Sequence, residues 1–168
     1  MASHSLGLTL HQAAREKGVP FTLENEPTDH EVTLHGMKFH YLEWGDASKP
    51  LIVMLHGGAQ QAHSWDFVSL PLSEDYHILA LDQRGHGDSA WASDGDYSTE
   101  GHQTDIDAFV SDLGLNGFHL IGHSMGGRNS HVWASRNSEK LSRLRIADTG
   151  QEAQTTGQKS TQHFSDDP

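Results

Sequence analysis

The spacing of apolar side chains changes period several times along the chain, and each change marks an element. From Glu31 to Trp44, EVTLH and MKFHYLEW alternate apolar with polar residues on either side of Gly36. Period-two alternation interrupted by a glycine predicts a β-hairpin, here at the edge of a sheet. Pro50 then introduces a continuous apolar run, LIVML (51–55), which ends at His56-Gly57-Gly58. A run that short, bounded by turn residues, predicts a strand buried on both faces, as in a parallel sheet. The segments YHILALD (76–82), FHLIGHS (118–124) and LSRLRIAD (141–148) supply three more strands.

Helical spacing fills the intervals. Residues 64–73 predict a helix with Ser64 as N-cap, ended early by Pro71. Ser98-Thr99-Glu100 opens a second helix over 98–113, which places Ile106, Phe109, Val110 and Leu113 on one face. A third follows over 125–137. Strands alternating with helices at this spacing imply βαβ crossovers. The expected fold class is therefore α/β: a three-layer sandwich with a mostly parallel twisted sheet and helices on both faces. Arg143 and Arg145 would be costly in a strand covered on both sides, so 141–148 is expected to be an edge.

The flanks differ from this core. Residues 1–30 read as a leader with a short helix around Thr9–Lys17, broken by Pro20 and Pro27. Residues 31–148 form the core, and 149–168 are a polar tail. The 168 residues, 35% hydrophobic with 17 Gly, suffice for one domain. A formal net charge of −12 disfavours nucleic acid and anionic membrane, which require basic patches. With no cysteine, disulfides, thiolate metal sites and a cysteine nucleophile are excluded. The start does not read as a secretory signal and no window suits a membrane helix, so a cytoplasmic location is expected. The 14 histidines are scattered without HExxH or clustered spacing, and no metal or cofactor is expected.

Three motifs carry the chemistry. Gly122-His123-Ser124-Met125-Gly126 is a GxSxG pentapeptide between an apolar strand and a helix. A serine on so sharp a turn is held in a strained backbone that lifts its hydroxyl above the sheet. The helix N-terminus favours an anion there, and the Met125 backbone N–H is one candidate oxyanion donor. Leu55-His56-Gly57-Gly58 ends the first buried strand, and the Gly58 N–H is the candidate second donor. Leu81-Asp82-Gln83-Arg84-Gly85-His86-Gly87-Asp88-Ser89 makes a tight, hydrogen-bonded loop, expected to brace the nucleophile turn from the neighbouring strand.

Together LHGG (55–58), LDQRGHGDS (81–89) and GHSMGG (122–127) resemble the N-terminal half of the α/β-hydrolase superfamily, in the branch with esterases, enol-lactonases and carbon–carbon bond hydrolases. The resemblance spans residues 31–148. It implies attack by Ser124 on a carbonyl carbon and hydrolysis of an acyl-enzyme by water. Related epoxide hydrolases and haloalkane dehalogenases carry aspartate at this turn, so Ser124 argues against both activities. The family's chain order is serine, acid, histidine, with the histidine after the eighth strand. Asp148 occupies a position where a minority of the family place the acid. His163 is the histidine candidate in the tail, while His131 lies within the helix that follows the serine.

The expected function is thus a truncated serine hydrolase acting on a small ester, lactone or similar carbonyl compound. The alternative is a catalytically inactive fragment or interaction module on the same half-fold, self-associating through the exposed edge at 141–148.

Overall fold

The computed structural model describes residues 7–147. Six strands form one mixed sheet: β1 (Thr28–Leu34), β2 (Met37–Trp44), β3 (Leu51–Leu55), β4 (His77–Leu81), β5 (Phe118–His123) and β6 (Leu141–Ala147). Their order is β1-β2-β4-β3-β5-β6. The β1–β2 hairpin is antiparallel and joins β4 antiparallel, whereas β4, β3, β5 and β6 are mutually parallel. The hairpin therefore lies at one edge, as its alternating pattern required.

The helices are α1 (Leu10–Glu16), α2 (Asp66–Leu72), α3 (Thr99–Asp112) and α4 (Met125–Ala134). Alternation along the central strand β3 shows why its run is unbroken. Val53 and Leu55 join a core with Ile106, Phe109 and Val110 of α3 and Trp133 of α4. Ile52 and Met54 point the other way, into a core with Ala14 of α1, Trp65 and Leu70. Both faces are covered, so both sets of side chains must be apolar.

Local signals set most boundaries. Thr9 caps α1 in a capping box with Gln12, and α1 buries His11 and Ala14. Ser98 caps α3 by accepting the Gly101 amide. The helix expected from Ser64 differs. A 3-10 turn spans Ala62–Trp65, and α2 then begins at Asp66 and runs through Pro71 to Leu72. Pro71 is tolerated because it sits in the last turn, where only one intrahelical bond is forfeited. β6 is exposed along most of its length, with Arg143 and Arg145 both in water, and it closes the sheet among the described residues. No described helix is long and apolar enough to cross a membrane.

One buried polar group ties the hairpin to the parallel strands. The His40 ring on β2 donates through Nδ1 to Asp82 at 2.8 Å and through Nε2 to Asp29 at 3.0 Å. Both ring nitrogens thus face carboxylates, an arrangement only the cation satisfies fully. Burial disfavours that cation, but the two carboxylates outweigh burial and hold the imidazole above its ordinary range. A raised folded-state pKa contributes stability that is complete below the unfolded imidazole value and is lost as pH rises through the folded value. The stability difference between wild type and His40→Gln, read from urea midpoints, is therefore expected to be largest near about pH 5.5 and to shrink steadily towards about pH 8.5. A difference that grows with pH would contradict the assignment.

Candidate active site

The site is built at the carboxyl ends of β3, β4 and β5, where three turns converge. Ser124 forms the turn between β5 and α4, with φ 49° and ψ −111°. A non-glycine residue held there is strained, and the neighbours must hold it in place. They do so from two sides. The Ser124 amide donates to the Ala147 carbonyl at the end of β6 at 3.0 Å, and the Gly126 amide donates to the His56 carbonyl at 3.1 Å. Both flanking glycines are sterically required. A Cβ on Gly126 would collide with the Leu55 and His56 carbonyl oxygens, and one on Gly122 with the Gly126 carbonyl and the Ser130 hydroxyl.

The turn after β3 is held as firmly. The His56 ring is fully buried; its Nδ1–H donates to the Gly57 carbonyl at 2.8 Å and its Nε2 accepts the Gln83 amide at 3.0 Å. These bonds fix one neutral tautomer, and burial pushes the ring's pKa down. Gln60 reaches across the turn: its Oε1 accepts the Gly57 amide at 2.9 Å and the His123 Nδ1–H at 3.0 Å. Gly57 is thereby occupied, whereas no hydrogen bond from the Gly58 or Met125 amide forms among the described residues. Both amides suggested by the sequence remain available as donors to an oxyanion.

The loop after β4 is locked from within. Asp82 accepts from the Ala62 amide at 2.6 Å, the Asp88 amide at 3.0 Å and His40. Arg84 makes a two-pronged pair with buried Asp105 at 2.5 and 2.7 Å and reaches the Asp96 carbonyl at 2.7 Å. Among the described residues, His40, Asp82 and Asp88 are grouped closely enough to hold a cation. However, both Asp82 oxygens and both His40 nitrogens already have hydrogen-bond partners, so the group acts as a brace.

Ser124 is partly exposed, and its hydroxyl makes no hydrogen bond to any described histidine. His131 is exposed on α4, seven positions beyond Ser124 and so roughly 10 Å further along the helix axis. His56 has both nitrogens engaged. His86 packs against His56 with ring centroids 5.1 Å apart and lines a cleft of about 390 Å³ together with Gln60, Gln61 and Ser64. Asp148 and His163 lie outside the described residues.

The alpha/beta hydrolase fold family matches residues 50–166. The chain belongs to that family. It is 38% identical over 117 residues to an N-formylmaleamate deformylase of Pseudomonas putida, a match covering 70% of this chain and 43% of that protein. A soluble epoxide hydrolase of Corynebacterium is 34% identical, over 75% of this chain and 43% of the relative. Among solved structures, the thioesterase domain from the curacin biosynthetic pathway superposes with TM-score 0.69 at 28% identity, covering 73% of this chain and 46% of that one. The chain thus spans less than half the length of the relatives it matches. These relatives are hydrolases with different named substrates, as expected of a fold that grafts varied chemistry onto one frame.

Gln60 and Asn129 carried no functional signal in the sequence, and Gln83 carried one only as a position of the loop after β4 that was expected to brace the serine turn. Their partners lie 26 to 63 positions away, except for Gln60's contact with Gly57. Replacing Gly126 with alanine is expected to cost about 3 kcal/mol in urea unfolding, the upper end for overpacking against backbone. A neutral substitution would show that α4 does not approach β3 this closely.

Proposed function

We propose that the protein is a serine hydrolase acting on carbonyl compounds such as esters or lactones. Ser124 is the nucleophile, and the Gly58 and Met125 amides stabilise the oxyanion. The observation that carries this reading is the strained Ser124 at the β5–α4 turn, at the N-terminus of a helix, with those two amides unbonded among the described residues. In the reaction the Ser124 oxygen bonds to the carbonyl carbon and its proton passes to a base. The alcohol departs, and water then cleaves the acyl–serine ester.

The side chain also separates this reading from the epoxide hydrolases among the relatives. Serine attack on an epoxide carbon would leave an ether, which water cannot release, whereas an acyl–serine ester is readily hydrolysed. Turnover of a carbonyl substrate is the chemistry that a serine at this turn can complete. The acid is assigned to Asp148, which directly follows the strand whose Ala147 carbonyl holds the Ser124 amide. The base comes from outside the described residues, and His163 is the histidine of the tail in this sequence. No cofactor takes part in this chemistry, and a cytoplasmic location accords with it.

The test is the intact mass of the full chain after exposure to a fluorophosphonate. One adduct is expected on wild type and none on Ser124→Ala. Absence of an adduct on a chain shown by circular dichroism to be folded would overturn the assignment. A base-deficient site would still retain some rate, since the oxyanion hole and binding alone leave on the order of 10³–10⁴-fold over water in characterised serine proteases.

A further inference from the structure

We infer that Gln83 is a positioning residue that sets the spacing between the two oxyanion donors by clamping the turn after β3 to helix α4. The inference rests on the oxyanion assignment above. Gln83 is 2% exposed, and it uses its backbone amide and both side-chain polar atoms on the two elements that carry the donors. Its backbone N–H binds His56 Nε2 at 3.0 Å, and its Nε2 donates to the His56 carbonyl at 2.7 Å. Its Oε1 accepts from Asn129 Nδ2, in the second turn of α4, at 2.8 Å.

The partners fix the orientation of this amide. The His56 carbonyl can only accept, so the Gln83 nitrogen must face it and the oxygen must face Asn129. Asn129 is in turn obliged to present its NH₂ group. Asn129 is fully buried, and its own Oδ1 has no partner among the described residues. Apolar side chains would fill that space at lower cost, so stability alone does not account for a buried amide pair at this position.

What the pair adds is geometry. The His56 carbonyl that Gln83 holds is the one that accepts the Gly126 amide. Gly58 lies two residues beyond His56, and Met125 one residue before Gly126. A single side chain therefore fixes both donor-bearing peptides relative to each other, without touching substrate. Oxyanion stabilisation depends on donors preset at the oxygen's position, and small displacements caused by remote residues reduce rate by up to about 100-fold.

The test uses the full chain and three variants. Gln83→Met keeps length and removes both side-chain hydrogen bonds. Asn129→Leu breaks the same link from the helix side. Gln103→Met is the structural control, because Gln103 Nε2 donates to the Asn129 carbonyl at 3.2 Å yet makes no hydrogen bond to either donor turn among the described residues. Fluorophosphonate labelling of the folded protein is resolved into probe affinity and maximal rate. The maximal rate is expected to fall by about 10- to 100-fold in Gln83→Met and Asn129→Leu, with probe affinity unchanged and Gln103→Met near wild type. A folded Gln83→Met or Asn129→Leu chain that labels within twofold of wild type would overturn the proposal, as would an equal loss in Gln103→Met. A second readout needs no reactivity, and so separates this claim from that of the hydrolase itself. The ¹⁵N–¹H resonances of Gly58 and Met125 are expected to shift together in Gln83→Met and to stay in place in Gln103→Met. Unmoved resonances in Gln83→Met would overturn the clamp even if wild type labels.

Discussion

The carbonyl of His56 is the point on which the site depends. It ends the central strand and accepts two N–H groups, from the first turn of α4 and from the Gln83 side chain. A helix N-terminus leaves its first amides without intrahelical partners. Here Gly126 uses one of them to dock the helix onto the sheet, and the Met125 amide makes no hydrogen bond among the described residues. That docking requires backbone against backbone, which is why a Cβ is excluded at Gly122 and Gly126. The strained conformation of Ser124 follows, because the chain must leave β5 and enter α4 within a single residue while both ends are pinned.

The division between apolar and polar residues follows the same geometry. Along β3 and β4 the side chains on both faces pack into two apolar cores, to which β5 adds Phe118 and Leu120 on one face and Ile121 on the other. At the carboxyl ends of these strands the faces open, and buried polar groups take over: His56, Asp82, Gln83, Arg84 and Asn129. Each is partnered with backbone or with another buried group, so the turns are held by directional bonds where apolar packing has no direction to give. His40 with Asp82 and Arg84 with Asp105 anchor the loop after β4, and that loop presents Gln83 to its two neighbours. The helix dipole of α4 then adds positive potential beside Ser124 in a chain whose overall charge is strongly negative.

Much of this was legible in the sequence because it depends on short-range patterns. LIVML had to be a doubly covered strand, and the alternation around Gly36 had to be a hairpin; both are found as expected. Ile106, Phe109 and Val110 share the buried face their spacing required. The exposed arginines of β6 follow from its place at the end of the described sheet. The start of α2 lies two residues later than the spacing predicts, because the chain makes a 3-10 turn first and Ser64 serves that turn. Gln60 and Asn129 were illegible as a site, and Gln83 was legible only as one position of the loop expected to brace the serine turn, since a buried amide announces itself only through partners that the fold brings from other elements. The candidate acid and base, Asp148 and His163, rested only on family resemblance and fall outside the described residues.

Docking of the β5–α4 turn as firm as that of the core is measurable by native-state hydrogen exchange at the Gly126 amide. Gly126 is expected to exchange only when the whole domain opens, at the opening free energy of core amides such as Val53 and Leu120. A Gly126 amide that exchanges orders of magnitude faster than these would mean that α4 lifts from the sheet on its own, and the geometry on which the proposed oxyanion donors depend would be lost with it.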